Sequence, residues 1–477
     1  MKQNIKLLLL LVFATQTFAQ EKKWTLRACI DYAVTNNISV KTSELDLKNA
    51  IITKKDAIGA FLPNINANAS HSWNIGLNQN ITTGLLENQT TQFTSAGLNV
   101  GVDIYNGLRN QLQLRKATLA IVASQYQMTK MQEDIALNVA NAFLQILFNK
   151  ENLKVQLQQK AYNLTVLERT SQLVDAGVVP KGDLLDIKAT AAADNQRVIA
   201  AQNALLISKL SLAQLLRLED FSNFDIDESE IPSLNESILM ESSQNIIKKA
   251  KETRTELKIA QSNVELAKKD IAIAKGAYQP SLTGFYSFNT RAAYSDRIIG
   301  FQPDGTNPTS TIGFVDGTNQ LVLQPNFSPV LGGPLPLFDQ FNNNKGQNFG
   351  VQLSVPIFNG LAARNNVERS KVAYERAKLN YSQQELDVER NVFTAFTDAN
   401  AAKESFEAAE TTLEARTLSF NYAKERYEVG LMNVFDFNQA QTLLVNAQSE
   451  VLRTKYDYLF RIKILEFYFG IPLIEKK

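Results

Sequence analysis

Along Ala362–Glu428 the residues Val392, Phe396, Ala399, Phe406, Ala409, Leu413, Phe420, Ala423 and Tyr427 recur at three- and four-residue spacing. That is the seam of a coiled coil. This segment and Arg109–Asp175 each run for 67 residues without a Gly or Pro. At helical rise each predicts a helix roughly 100 Å long. Two shorter helical patterns, 25–61 and 183–216, come to roughly 55 and 51 Å. Their combined length predicts that two short helices stack end to end against one long one. Between the helical patterns the period changes to two. Ala96, Leu98, Val100, Val102 and Ile104 alternate with Gly97, Asn99, Gly101 and Asp103, and Phe349, Val351, Leu353, Val355 and Ile357 alternate with Gly350, Gln352, Ser354 and Pro356. The segments 65–75 and 282–288 read as their partner strands, the first with Asn and Ser on its polar face.

The order helix, strand, strand, helix, turn, helix occurs twice. Ala60-Phe61-Leu62-Pro63 returns as Ala277-Tyr278-Gln279-Pro280, an offset of 280 − 63 = 217. Ile104-Tyr105-Asn106-Gly107-Leu108 returns as Ile357-Phe358-Asn359-Gly360-Leu361, an offset of 357 − 104 = 253. The same 253 relates Gly177 to Gly430 and Asp183 to Asp436. The period is that of a duplicated domain, with repeats at 20–218 and 237–473 about an acidic connector at 219–236. The difference, 253 − 217 = 36 residues, falls in the segment 289–347, which holds six of the twelve prolines and reads as a long irregular loop.

Strands of about ten residues, apolar on one face and small or polar on the other, suit a water-filled transmembrane β-barrel. A half-buried sheet in a soluble domain has the same alternation. Lipid tolerates no open sheet edge, so four strands cannot span alone. Two chains give eight strands, whose interior side chains fill. Three chains give twelve and leave a bore. The fold class expected is therefore an α+β membrane protein, with long antiparallel helical hairpins and four transmembrane strands per chain. Leu98, Val100, Val102, Val351, Leu353 and Val355 are the expected lipid-facing positions. His71, on the parity of Ala69 and Trp73, reads as a barrel-surface residue rather than a ligand.

The N-terminus adds an export signal. Lys2 and Lys6 precede an apolar run, and Thr17-Phe18-Ala19 ends it, so 1–19 reads as a leader cleaved before Gln20. No later segment reads as a transmembrane helix. One Cys and one His in 477 residues exclude a disulfide framework and His/Cys metal clusters. Cys29 lies in an apolar helical pattern and reads as a buried packing thiol. With 49 Lys+Arg against 48 Asp+Glu, the charge gives no support for nucleic-acid binding. No nucleophile–base pair or phosphate loop appears, so neither an enzyme nor a cofactor is expected.

The chain resembles the TolC-like outer-membrane efflux protein family from about Trp24 to Leu473. The resemblance is carried by Thr25-Leu26, Tyr32-Ala33, Asn36-Asn37 and Phe61-Leu62-Pro63, by the corners at Gly107 and Gly360, and by Arg426-Tyr427-Glu428-Val429-Gly430-Leu431 with Asp436. It implies a homotrimer in the outer membrane of a Gram-negative bacterium, with a twelve-stranded barrel continuous with a periplasmic α-barrel. A periplasmic adaptor protein and a proton-driven or ABC-type inner-membrane pump are the implied partners, besides outer-membrane lipid. The implied function is a conduit for tripartite efflux or type I secretion; a periplasmic coiled-coil adaptor or structural rod is the alternative. Asp436 and its counterpart Asp183 fall where a pore constriction is expected. Each also follows a turn and opens a helix, which is a capping position. Tyr427, Gly177, Val178, Gly430, Leu431 and Met432 fall at the tip expected to gate and to meet the adaptor. Tyr427 also fits the coiled-coil seam. The pattern departs at Met432 and Gln439, where the family's closing Arg and second acid are missing.

Overall fold

The computed structural model describes residues 23–79, 84–219, 224–228 and 236–471. The leader at 1–19 and most of the acidic connector lie outside the described residues. Two compact units result. One is formed by the residues up to Ile52 with Thr118–Lys268 and those from Val372 on; the other by Thr53–Ala117 and Lys269–Lys371.

The first unit is helical. α1 (Leu26–Asn36) and α2 (Ile38–Gly59) precede the sheet, and α3 (Arg109–Asp175) and α4 (Lys181–Leu216) form a hairpin after it. The second half repeats this with α5 (Ser243–Thr253), α6 (Thr255–Lys275) and, later, α8 (Ala362–Glu428) and α9 (Val434–Phe469). The long helices α3 and α8 both have 67 residues, and α4 and α9 both have 36.

The sequence pattern 25–61 reads as one helix, yet the chain breaks it at Asn37. The Asn37 backbone is extended (ψ 138°), and its side chain leaves the helix to donate to the Leu215 carbonyl at 2.9 Å and accept from Ser39 N at 2.9 Å. The second half breaks at Arg254 (ψ 128°), and 254 − 37 = 217, the offset of the strand entries. The N-caps repeat it too: Thr25 Oγ1 accepts from Ala28 N, and Ser242 Oγ accepts from Asn245 N, each at 3.2 Å. Each break seats a short helix against the end of a hairpin. Cys29, Ile30, Ala33 and Val40 pack on Leu212, Ala213 and Leu216. Ile246 and Ala250 pack on Tyr458, Ile462 and Leu465. Trp24 then bridges to Ile226, and Asp225 joins Lys150 (2.7 Å) and Lys209 (2.9 Å).

One later helix is, contrary to the sequence expectation, long and apolar enough to cross a membrane by length and composition: α4, with a mean hydropathy of 1.3 over its best 18 residues. That apolarity comes mainly from the Leu, Ile and Val of its C-terminal half, and its buried face carries Asp194 and Ser208.

The second unit holds a four-stranded antiparallel sheet of β1 (Asn64–Gln79), β2 (Leu86–Asn106), β3 (Ser281–Ala293) and β8 (Gly346–Ser354), in that spatial order. The strands exceed the expected segments at the ends away from the helices. At its other end β8 stops at Ser354, so Val355 and Ile357 lie past the strand. Pro356 has no N–H to continue the ladder. Register aligns Ile65, Val100, Tyr286 and Phe349 across one face, and Asn66, Asn99, Ser287 and Asn348 across the other.

The segment 289–347 is largely ordered, not irregular. After β3, β4 (Arg297–Pro303) pairs with β7 (Phe327–Gly332), and inside them β5 (Thr309–Phe314) pairs with β6 (Leu321–Pro325). A short helix α7 (Leu337–Asn343) then leads into β8. Its Gln340 accepts from Ala293 N at 2.9 Å and donates to Ala293 O at 3.0 Å, while Asn344 Nδ2 donates to Arg291 O at 2.6 Å. These amides replace a neighbouring strand where β3 runs past β8. Prolines punctuate the segment without preventing pairing, because each paired element is an edge strand of a two-stranded ribbon.

Candidate functional site at the hairpin turns and the sheet faces

Both hairpin turns reverse through a glycine in the left-handed region, φ +70° at Gly177 and φ +76° at Gly430. Val178 N donates to Leu173 O (2.9 Å), and Leu431 N to Arg426 O (2.8 Å), closing each helix with a six-residue turn that a side chain at the glycine would strain. Inside the turns lies a small core of Val166, Ile187, Val434 and Phe437. Tyr427 belongs to it: its ring stacks on Phe437 at 4.5 Å and 11°, and its hydroxyl lies 3.5 Å from Thr170 Oγ1. Met432 packs against the same core. Val178 and Leu431 point outward, 67% and 71% exposed, together with Val429 and Phe435.

Asp183 and Asp436 occupy the third position of α4 and α9, not the cap. The cap of α9 is Asn433, whose Oδ1 accepts from Asp436 N at 2.8 Å and whose Nδ2 donates to Asp436 Oδ2 at 2.9 Å. Pro180 precedes α4 with no side-chain cap, and Asp183 N donates to Pro180 O. Asp436 is exposed and Asp183 half-buried. At the positive end of a helix either carboxylate is favoured, whatever else it does. The described residues show no bond between Tyr427 and Asp183.

Behind the tip core lies a polar layer that the sequence reading missed. Asn163 donates to the 1%-exposed Asp194, which also holds Arg197 at 3.1 Å. Gln441 of α9 is also buried, and neither of its amide atoms has a partner among the described residues. Asp194 was legible only as an acid one heptad after Ile187, and Gln441 as an amide four residues after Phe437.

On the sheet, Leu98, Val100 and Val102 are half-buried, and Val351 and Leu353 are exposed on the same apolar face. The opposite face carries a side-chain ladder: Asn99 Nδ2 donates to Asn68 Oδ1 (3.2 Å), Ser287 Oγ donates to Asn99 Oδ1 (2.9 Å), and Ser70 meets Ser95 (2.7 Å). His71, on the apolar parity, bonds Thr94 and stands edge-on to Trp73 at 4.3 Å and Tyr294 at 5.7 Å. Such amphipathic rings suit the boundary between lipid and water. Within the described residues β1 and β8 each have one unpaired edge.

The helical unit also leaves apolar rows uncovered. Ile38, Leu45 and Ile52 on α2, Leu185, Ile199 and Leu206 on α4, and Val372, Leu379, Leu386 and Phe393 on α8 are all exposed and recur at seven residues or its multiple. Among the described residues no cluster of metal-ligating side chains occurs.

A model of the outer membrane efflux protein family matches residues 30–216 and 246–470. The outer membrane protein TolC of Vibrio cholerae is 22% identical over 405 residues, covering 84% of this chain and 81% of its own. TolC of Escherichia coli is 23% identical over 433 residues, covering 89% and 78%. The crystal structure of the outer membrane protein VceC from Vibrio cholerae superposes with a TM-score of 0.70 at 16% identity, covering 94% of this chain and 97% of that one. The superposition bears on the fold.

Proposed function

This chain belongs to the outer membrane efflux protein family and is an outer-membrane protein of a Gram-negative bacterium, from which premise we propose that three copies enclose one export channel. The exposed heptad rows carry the reading. Apolar residues at heptad spacing on α2, α4 and α8 form coiled-coil seams that stay exposed among the described residues, and further copies would cover them. The open edges of β1 and β8 support the same count, since three four-stranded sheets joined edge to edge make a closed twelve-stranded barrel. The Asn/Ser ladder would then face the bore, and Leu98, Val100, Val102, Val351 and Leu353 the lipid.

In this reading the channel conducts and does no chemistry. The hairpin turns lie on the periplasmic side and dock on an adaptor through exposed Val178, Val429 and Leu431, while an inner-membrane pump of the proton-driven or ABC type supplies substrate. Three Asp436 carboxylates, with Asp183 beside them, would ring the narrow end and favour cations. Gly177 and Gly430 allow the turns, and Tyr427 with Met432 stiffens the tip from within. The test is a purified, detergent-extracted protein. It should run as a heat-modifiable trimer and give single-channel currents in planar bilayers, with Asp436→Asn lowering cation selectivity. A monomer without conductance would sink the channel; an unchanged reversal potential in Asp436→Asn would sink the ring alone.

A further inference from the structure

A cavity of about 880 Å³ in the sheet-bearing unit lies where β3 ends and β4 and α7 begin. Its charged lining is three cations, Arg291, Arg297 and Lys345, against one acid, Asp296. None of the three cations forms an ion pair among the described residues. Arg291 is held in place: its guanidinium lies over the Phe93 ring at 5.2 Å, and its backbone carbonyl is fixed by Asn344. Alternation assigns the side. Asn289, Arg291 and Ala293 share the parity of Ser287, on the face that carries the Asn/Ser ladder. On the other parity Thr290 and Ala292 are buried, and Thr290 Oγ1 donates to the Phe341 carbonyl of α7 at 2.8 Å. The helix therefore stands between the cavity and the apolar face.

We propose that this cavity is a subsite for a soluble oligo-anion, of the polyphosphate or polycarboxylate class, at the outer water-filled mouth. The siting at the mouth rests on the channel reading above; the binding does not. A net excess of two cations in a space large enough for several phosphate groups favours multivalent over monovalent anions. The lipid-headgroup alternative meets the wrong parity, because headgroups reach the face that α7 covers. Three copies would surround the mouth with cations, the opposite sign to the acidic turns.

The probe is inorganic tripolyphosphate. Added to the outer side of a planar bilayer holding the wild-type protein, it should reduce single-channel current. In Arg291→Gln/Arg297→Gln/Lys345→Gln at least tenfold more should be needed. The block should weaken sharply between about 0.1 and 1 M salt, as the Debye length falls from about 10 to 3 Å. Equal block in the triple variant, or equal block from both sides, overturns the site. Should the wild type give no current at all, the channel reading fails separately. Calorimetric titration of the detergent-solubilised protein with tripolyphosphate then decides the site: heat in the wild type that is lost in the triple variant supports it, and none in either refutes it. Lipopolysaccharide bound by the wild type and lost in the triple variant, with no tripolyphosphate heat in lipid-free protein, would assign the site to lipid and refute the proposal.

Discussion

Arg254 closes the break between α5 and α6 and is 5% exposed. Its guanidinium bonds Glu256 at 3.0 and 2.8 Å, reaches Glu133 at 3.5 Å, and lies 3.9 Å from the centre of the Phe467 ring. Replacing it by Met keeps much of the packing but leaves two partly buried carboxylates without their cation. Breaking such a pair costs about 3–5 kcal/mol, and removing the attraction between the guanidinium and the Phe467 ring adds about 1 kcal/mol. The pH dependence follows from the two acids. Burial raises the Glu133 carboxyl above its ordinary value despite Arg254 and Thr255. At Glu256 burial also pushes upward, but the Arg254 hydrogen bonds and charge outweigh it and hold the carboxyl below its ordinary value. Glu256 thus contributes stability above its unfolded value of about 4.3, lost as pH falls through the lower folded value. Glu133 has the opposite sign, withdrawing stability as pH rises through its raised folded value. Without Arg254 burial acts unopposed by that cation on both, so the deficit of Arg254→Met should be largest near pH ~7.5 and shrink toward pH ~5. Hydrogen exchange of peptides across 250–258 measures it. Exchange should accelerate roughly 10³- to 10⁴-fold at the higher pH, and Glu133→Gln/Glu256→Gln in the same background should restore most of the protection. Protection unchanged, or lost equally at both pH values, would refute the account.

Three further outcomes are expected. Burial leaves Cys29 unexposed and pushes its thiol up to about 12, so a maleimide at neutral pH should leave the native protein unlabelled and modify it fully in denaturant. Asn433→Ala should remove the cap of α9 at a cost of about 1 kcal/mol, seen as faster exchange confined to 434–437, while Asn433→Ser should retain protection. Leu386→Asp changes an exposed residue of the α8 row, 59% accessible, so circular dichroism of the chain should hold while the unheated trimer band disappears on gels.

Much of this architecture was legible because it rests on period and on breakers. The Gly- and Pro-free runs marked α3 and α8 to their ends, and Gly177 and Gly430 marked the turns, because only a left-handed residue closes a helix that way. The helix breaks at Asn37 and Arg254 were not legible. Neither residue is a strong breaker, and each leaves the helix for a distant partner, the Leu215 carbonyl in one case and the Glu133 carboxylate, with the neighbouring Glu256, in the other. The ordered hairpins within 289–347 were hidden by proline count, since two-stranded ribbons accept proline on their free sides. At the tip, the capping reading of Asp183 and Asp436 fell one turn off: Asn433 caps α9, Pro180 precedes α4, and each Asp is the third residue of its helix. The Asn163–Asp194 layer and Gln441 were concealed by the convention that seam positions are apolar.

The amides of Gln340 and Asn344 have a bearing on the life of the chain before it meets other copies. A newly exported strand with free backbone donors is a template for any stray segment, and β3 overruns β8 by several residues at its outer end. By occupying the Arg291 and Ala293 backbone from within, α7 withdraws that stretch from competition. Within the four-stranded sheet the outer edges of β1 and β8 stay open, the pair that closure between copies would use. Loss of the two amides should therefore appear as reduced yield of assembled protein before any change in single-channel conductance.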